Sequence, residues 1–137
     1  MRKLIVSGDL GLSNEKILLI SDFCNFCSKF LNITNPFKVY VVADRKRHGI
    51  ETTAFYQRGD GIIKIYGKNR AIVDVCRSIA HELVHHMQDE NDMLVGVIQD
   101  AGGDIEDEAN AKAGEIIKRF AKSNPARAVI YERKMIL

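Results

Sequence analysis

Residues 69–90 constrain this chain more than any other segment. Ile72, Val75, Cys76, Ile79, Leu83 and Met87 recur there at helical spacing, and the same run contains His81-Glu82-Leu83-Val84-His85. With 3.6 residues per turn, positions i and i+4 share a face, so both imidazoles can reach one point in space with Glu82 beside them. The apolar stripe must be covered by other parts of the chain, which places the histidines on a partly buried helix. Burial is what a metal site needs, because the surrounding protein holds the ligands still and keeps their lone pairs from water.

H-E-x-x-H on a helix is the spacing at which two histidines hold zinc while the glutamate acts as general base. Two surface histidines and a solvated glutamate are the plain alternative. Catalytic zinc takes three protein ligands and keeps one position open. The histidines of the chain are His48, His81, His85 and His86, none of them beyond the residue that directly follows the motif, so a carboxylate is expected as the third ligand. Gly103-Asp104-Ile105-Glu106-Asp107-Glu108-Ala109-Asn110-Ala111 offers one. It opens a second helical run through Ile116, Ile117 and Phe120, with Gly102-Gly103 as the break ahead of it and Asp104 as the expected N-cap. Glu106 and Glu108 lie about 200° apart around a helix, so only one of them can face the histidines. Read alone, the stretch is also what a capped helix start with dipole-matched acids looks like.

The two motifs together resemble the gluzincin metallopeptidases, the thermolysin-like class whose H-E-x-x-H is completed by a glutamate on a following helix. Glu106-Asp107-Glu108-Ala109-Asn110 is similar to the E-x-E-A-N or E-x-E-A-D of small ImmA/IrrE-type peptidases. The resemblance spans about Phe37 to Lys122. It implies Zn2+ held by His81, His85 and Glu106. It sets Asn110 where the family often has an aspartate that orients a ligand histidine. Glu82 would take a proton from the water that attacks a peptide carbonyl and return it to the leaving amine. The fold implied is α+β and minimal zincin-like: an N-terminal helix, a three-stranded mostly antiparallel sheet, the H-E-x-x-H helix and a glutamate-ligand helix. A protein or peptide substrate would lie as an added strand along Ala54, Phe55 and Tyr56. The activity implied is that of a zinc metalloendopeptidase. The alternative is a metal-binding or protein-interaction domain that keeps the zincin fold without cleaving, against which the intact Glu82 argues.

The upstream half fits the same order. Ser13 to about Asn32 reads as a first helix with Ile17, Ile20, Cys24, Cys27 and Leu31 on one face. Phe37–Val42, Glu51–Gln57 and Gly61–Tyr66 read as strands, the last two joined by the turn signal Arg58-Gly59-Asp60-Gly61. Asn124-Pro125 ends the last helix, and Ala128-Val129-Ile130-Tyr131 is expected as a short strand or an interaction tail. Tyr56, Tyr66, His48 and His86 are each chemically able to stabilise an oxyanion, and spacing selects none of them. His86 points about 100° away from His85 and is expected at the surface or beside the site rather than in it.

At 137 residues the chain supports one core, expected at about residues 13–122, with 123–137 as a C-terminal tail. Three cysteines give no disulfide framework, and Cys24 and Cys27 are expected as core residues rather than metal ligands. The apolar start is too short for a secretory signal and no stretch is long enough to span a membrane, so a cytoplasmic protein is expected. A net charge of +2 does not point to nucleic acid. Arg45-Lys46-Arg47-His48 lacks interleaved aromatics and is expected as a solvated turn, with recruitment to DNA as the lesser reading. Composition leaves the oligomeric state open.

Overall fold

The computed structural model describes residues 2–94 and 103–131. Its architecture is α+β, in the order β1 (Arg2–Val6), α1 (Asn14–Phe30), β2 (Phe37–Val42), β3 (Ala54–Gln57), β4 (Ile62–Tyr66), α2 (Ile72–Glu90) and α3 (Asp104–Ser123), with 3-10 turns at Gly8–Leu10 and Pro125–Tyr131. No helix among the described residues is long and apolar enough to cross a membrane.

The sheet corrects the expected three mostly antiparallel strands. Among the described residues it has four, in the order β1-β2-β4-β3, with β1 and β4 both parallel to β2 and β3 antiparallel to β4. Parallel neighbours need a crossover of a dozen or more residues, and α1 supplies it between β1 and β2. Alternation sorts the residues by face: Val39, Val41, Ile63 and Ile65 are fully buried on one side, where Leu4, Val6, Ala54 and Tyr56 also pack. Among the described residues, α1 and α2 pack against the sheet on that side.

α1 begins at Ser13, whose side chain accepts from the Lys16 amide, and buries Ile20, Phe23, Cys24 and Cys27. The three cysteines are free and buried; burial pushes the Cys24 thiol up to about 12 and raises Cys27 and Cys76 well above their usual value. Thiols held protonated in this way behave as small apolar side chains. Phe120 of α3 meets Phe23 and Phe26 edge to face, at centroid distances of 5.1 and 5.5 Å.

Two segments outside the expected core belong to it. β1 contributes Leu4 and Val6, and residues 128–131 form neither a strand nor a tail but part of a 3-10 turn that buries Ile130 completely. The N-cap of α3 is Gly103 rather than Asp104, which is the first helical residue. Gly102 and the tail residues 132–137 lie outside the described residues.

Candidate metal centre

α2 carries the whole H-E-x-x-H segment, and its apolar residues, Ile72, Val75, Cys76, Ile79 and Leu83 among them, are buried against the sheet and the other helices. That packing fixes the rotation of the helix and turns His81 and His85 toward the first turn of α3. Among the described residues, one group of possible ligands converges: His81, His85 and Glu106 present ligand atoms within 4.8 Å of one another. The two Nε2 atoms are 3.2 Å apart, and the Glu106 oxygens stand 3.0 Å from His81 Nε2 and 2.8 Å from His85 Nε2. Ligands at zinc distances in a tetrahedron are roughly 3.2–3.5 Å from each other, so this triad needs only small shifts to hold such an ion.

Each imidazole is oriented from behind. Gln88 is fully buried, and its amide nitrogen donates to the Ile105 carbonyl at 3.1 Å and to Glu108 Oε1 at 2.9 Å. Those two acceptors fix the flip of the amide, so its oxygen faces His85 Nδ1 at 2.8 Å and takes the proton there. The Nε2 lone pair of His85 is thereby left for the site. His81 is hydrogen-bonded by Asn110; burial is the largest influence on its pKa and, with His85, brings it below the usual value against the upward pull of Glu106 and Asn110.

Glu108, the competitor for the third position, is engaged elsewhere: beyond Gln88 it pairs with Lys112 at 3.6 Å. The 200° offset between the two glutamates sends one into the cleft and the other to the back of His85. Glu106 sits in an acidic first turn with Asp104 and Asp107, where the helix dipole favours negative charge.

Glu82 lies between two hollows. One, of about 500 Å³, is lined by Thr53, Ala54, Arg70, His81, Glu82 and Asn110 among others. The other, of about 310 Å³, is lined by Ala54, Tyr56, Arg58, Glu82, His85 and Glu106 among others. Ala54 and Glu82 belong to both, so the hollows form one cleft between the edge strand β3 and the motif. Burial pushes the Glu82 carboxyl up to about 7, with His85 acting downward and Glu106 upward.

Of the residues expected to bind substrate, Ala54, Phe55 and Tyr56 all line the smaller hollow. Among the described residues β3 pairs with β4 alone, so no other described strand occupies its outer edge. Tyr56 nevertheless has its hydroxyl committed: it donates to Asp89 Oδ2 at 2.7 Å and lies 3.1 Å from His86 Nδ1. Burial and the bond to Asp89 hold its phenol well above the usual range. His86 is not a surface residue; it is 4% exposed, with its Nε2 donating to the Asn35 carbonyl at 3.2 Å. Tyr66 and His48 line neither hollow.

Gln88 and the second duty of Glu108 are absent from the reading of the sequence. The signal was an amide at i+3 from His85 and i+4 from Val84, inside the buried stripe. A buried amide has to be hydrogen-bonded, and the nearest candidate on its own helix was His85. No family model, curated protein or solved structure matches the chain.

Proposed function

We propose that the protein is a zinc-dependent metallopeptidase of the gluzincin type, with a minimal zincin-like arrangement around the cleft, acting on a protein or peptide. The observation that carries this reading is the convergence of His81, His85 and Glu106, with ligand atoms within 4.8 Å, beside a buried glutamate that is not one of the three. Two imidazoles and one carboxylate are a donor set suited to zinc, and His85 and Glu106 line the same hollow as Glu82.

His81, His85 and Glu106 would hold the ion, oriented by Asn110 and by Gln88. Zinc, when bound, supplies a Lewis acid that polarises the scissile carbonyl and acidifies water. Glu82 carries the proton: it takes it from the attacking water and delivers it to the amine as the C–N bond breaks. Burial raises this carboxyl in the metal-free protein, which favours its holding the proton between the two steps. A substrate chain laid along the outer edge of β3 would pass Ala54, Phe55 and Tyr56 and present a peptide bond to Glu82.

The test is a mixture of quenched fluorescent peptides incubated with zinc-loaded protein, followed by mass spectrometry of the products. Wild type is expected to cut internal peptide bonds. Glu82→Gln is expected to retain zinc and lose activity by at least about 10³-fold, since it removes the proton carrier and leaves the ligands in place. Equal cleavage by both proteins would refute the role of Glu82.

A further inference from the structure

Alternation along the strands builds a second functional candidate on the opposite side of the sheet. Ile5, Tyr40, Lys64 and Phe55 are register partners in one row across all four strands. Lys3, Lys38, Ile62 and Gln57 form the row beside it. The β2–β3 loop adds the exposed Arg45, Lys46 and Arg47 at the margin of this face. Arg45 lies over the Tyr66 ring at 4.9 Å, and Lys64 over Phe55 at 5.9 Å while its Nζ donates to the His48 carbonyl at 3.5 Å.

The face and its rim hold six cations, Lys3, Lys38, Lys64, Arg45, Lys46 and Arg47, against three acids, Asp44, Glu51 and Asp60. That excess is larger than the +2 of the entire chain. Asp44 is turned inward to its own loop, where it accepts from the Arg47 amide at 3.1 Å. Aromatic planes stand among these charges. Phe55 is 36% exposed and Tyr40 is half-buried, and they lie two strands apart, roughly 10 Å, on the same row. The run Arg45–His48 contains no aromatic residue, which is why the linear sequence speaks against nucleic acid. The fold brings rings to it from β2, β3 and β4.

We propose that this face binds single-stranded nucleic acid, with the lysines and arginines on the phosphates and Tyr40 and Phe55 as stacking platforms for unpaired bases. Cations in a track interleaved with open rings are what a single strand requires, and a duplex, whose bases are already stacked, cannot use the rings. Phosphates and base faces are common to DNA and RNA, so both sugars are accepted. The surface meets the metal cleft at Phe55, which also lines the smaller hollow, whereas Tyr40 and Lys38 line neither hollow, so the outcome for Tyr40→Ala and Lys38→Glu leaves the peptidase reading untouched.

The experiment is fluorescence anisotropy of the full chain with labelled dT and U 16-mers, a duplex of equal length, and heparin as competitor. Both single strands are expected to bind within about threefold of each other and more tightly than the duplex. Engagement of about four phosphates would weaken binding roughly 50-fold between 50 and 200 mM salt. Phe55→Ala and Tyr40→Ala are each expected to weaken it about tenfold, and Lys38→Glu by at least as much. Phe55 and Lys38 are exposed, so those variants test the proposal even if Tyr40→Ala fails to fold. His85→Ala should bind as wild type does. Absence of binding at 50 mM salt would overturn the proposal. So would affinity unchanged in Phe55→Ala and Lys38→Glu, duplex bound as tightly as single strand, or one sugar preferred more than tenfold.

Discussion

His85 and His86 are adjacent in sequence, both buried, and built into opposite junctions of the same helix. At the α2–α3 junction, Gln88 occupies only Nδ1 of His85, and the other nitrogen faces His81 and Glu106. At the junction with the β3–β4 hairpin, both nitrogens of His86 have oxygen partners, Tyr56 and Asn35. The neighbours of the second junction are tied down as well. Asp89 accepts from Tyr56 and from the Gly59 amide, and Glu90 accepts from the Thr34 and Asn35 amides. Against the upward pull of burial, these bonds hold both carboxyls below their usual values. Gly61 is part of the fit: a Cβ there would stand 2.5 Å from the Pro36 carbonyl oxygen and 3.1 Å from His86 Cε1. What fits a buried histidine to hold a metal is therefore the nitrogen its surroundings leave facing other possible ligands. One junction is closed and serves the fold; the other is open on one side and serves the site.

One of the two largest expected effects lies on the closed side. His86→Ala strands the Asn35 carbonyl, removes the contact with Tyr56 and leaves a cavity, and should cost about 3 kcal/mol in urea denaturation with zinc stoichiometry unchanged. His85→Ala should lose the metal and, because it orphans the buried amide oxygen of Gln88, should cost the chelator-treated protein about 2 kcal/mol. Loss of zinc in His86→Ala would break the distinction.

Glu82 lies on the open side and makes its stability depend on pH. Its folded pKa of about 7 exceeds the ordinary value of 4.5, so the folded state binds the proton more tightly than the unfolded state does. The resulting stability is fully present below pH 4.5 and lost as pH rises through about 7. In chelator-treated protein, Glu82→Gln should be about 3 kcal/mol more stable than wild type at pH 8, and the advantage should vanish at pH 4. Parallel pH curves for the two proteins would contradict the burial argument.

Smaller effects separate the two orienting amides. Gln88→Leu should weaken zinc binding about tenfold, measured by competition with a chromophoric chelator, because no water replaces a fully buried partner. Asn110→Ala, at an exposed position where water can substitute, should weaken it only about threefold. Equal losses would show that burial does not set the weight of an orienting bond.

The helices were legible because their signals are local: Ser13 as a cap, apolar periodicity in α1 and α2, and an H-E-x-x-H whose spacing alone brings two imidazoles together. The β3–β4 hairpin was legible from its glycine-bearing turn. β1 was not, since Leu4-Ile5-Val6 is short and becomes a strand only through β2, a partner more than thirty residues away. The parallel sheet was hidden for the same reason, because register and direction are properties of pairs. In the site, Glu106 could be set against Glu108 by helical phase, but Gln88 could not be assigned without knowing that α3 delivers Ile105 and Glu108 to it. The cationic sheet face was hidden most thoroughly, its charges and rings being contributed by four strands and a loop.

The central claim is that His81, His85 and Glu106 form one metal site, and metal content measured by inductively coupled plasma mass spectrometry tests it most directly. Wild type, His85→Ala, Glu106→Gln and Glu108→Gln would be prepared without chelators, exposed to zinc and desalted. The account predicts about one zinc per chain in wild type and Glu108→Gln, and none in His85→Ala or Glu106→Gln. No zinc in the wild type, or full retention in Glu106→Gln, would contradict it.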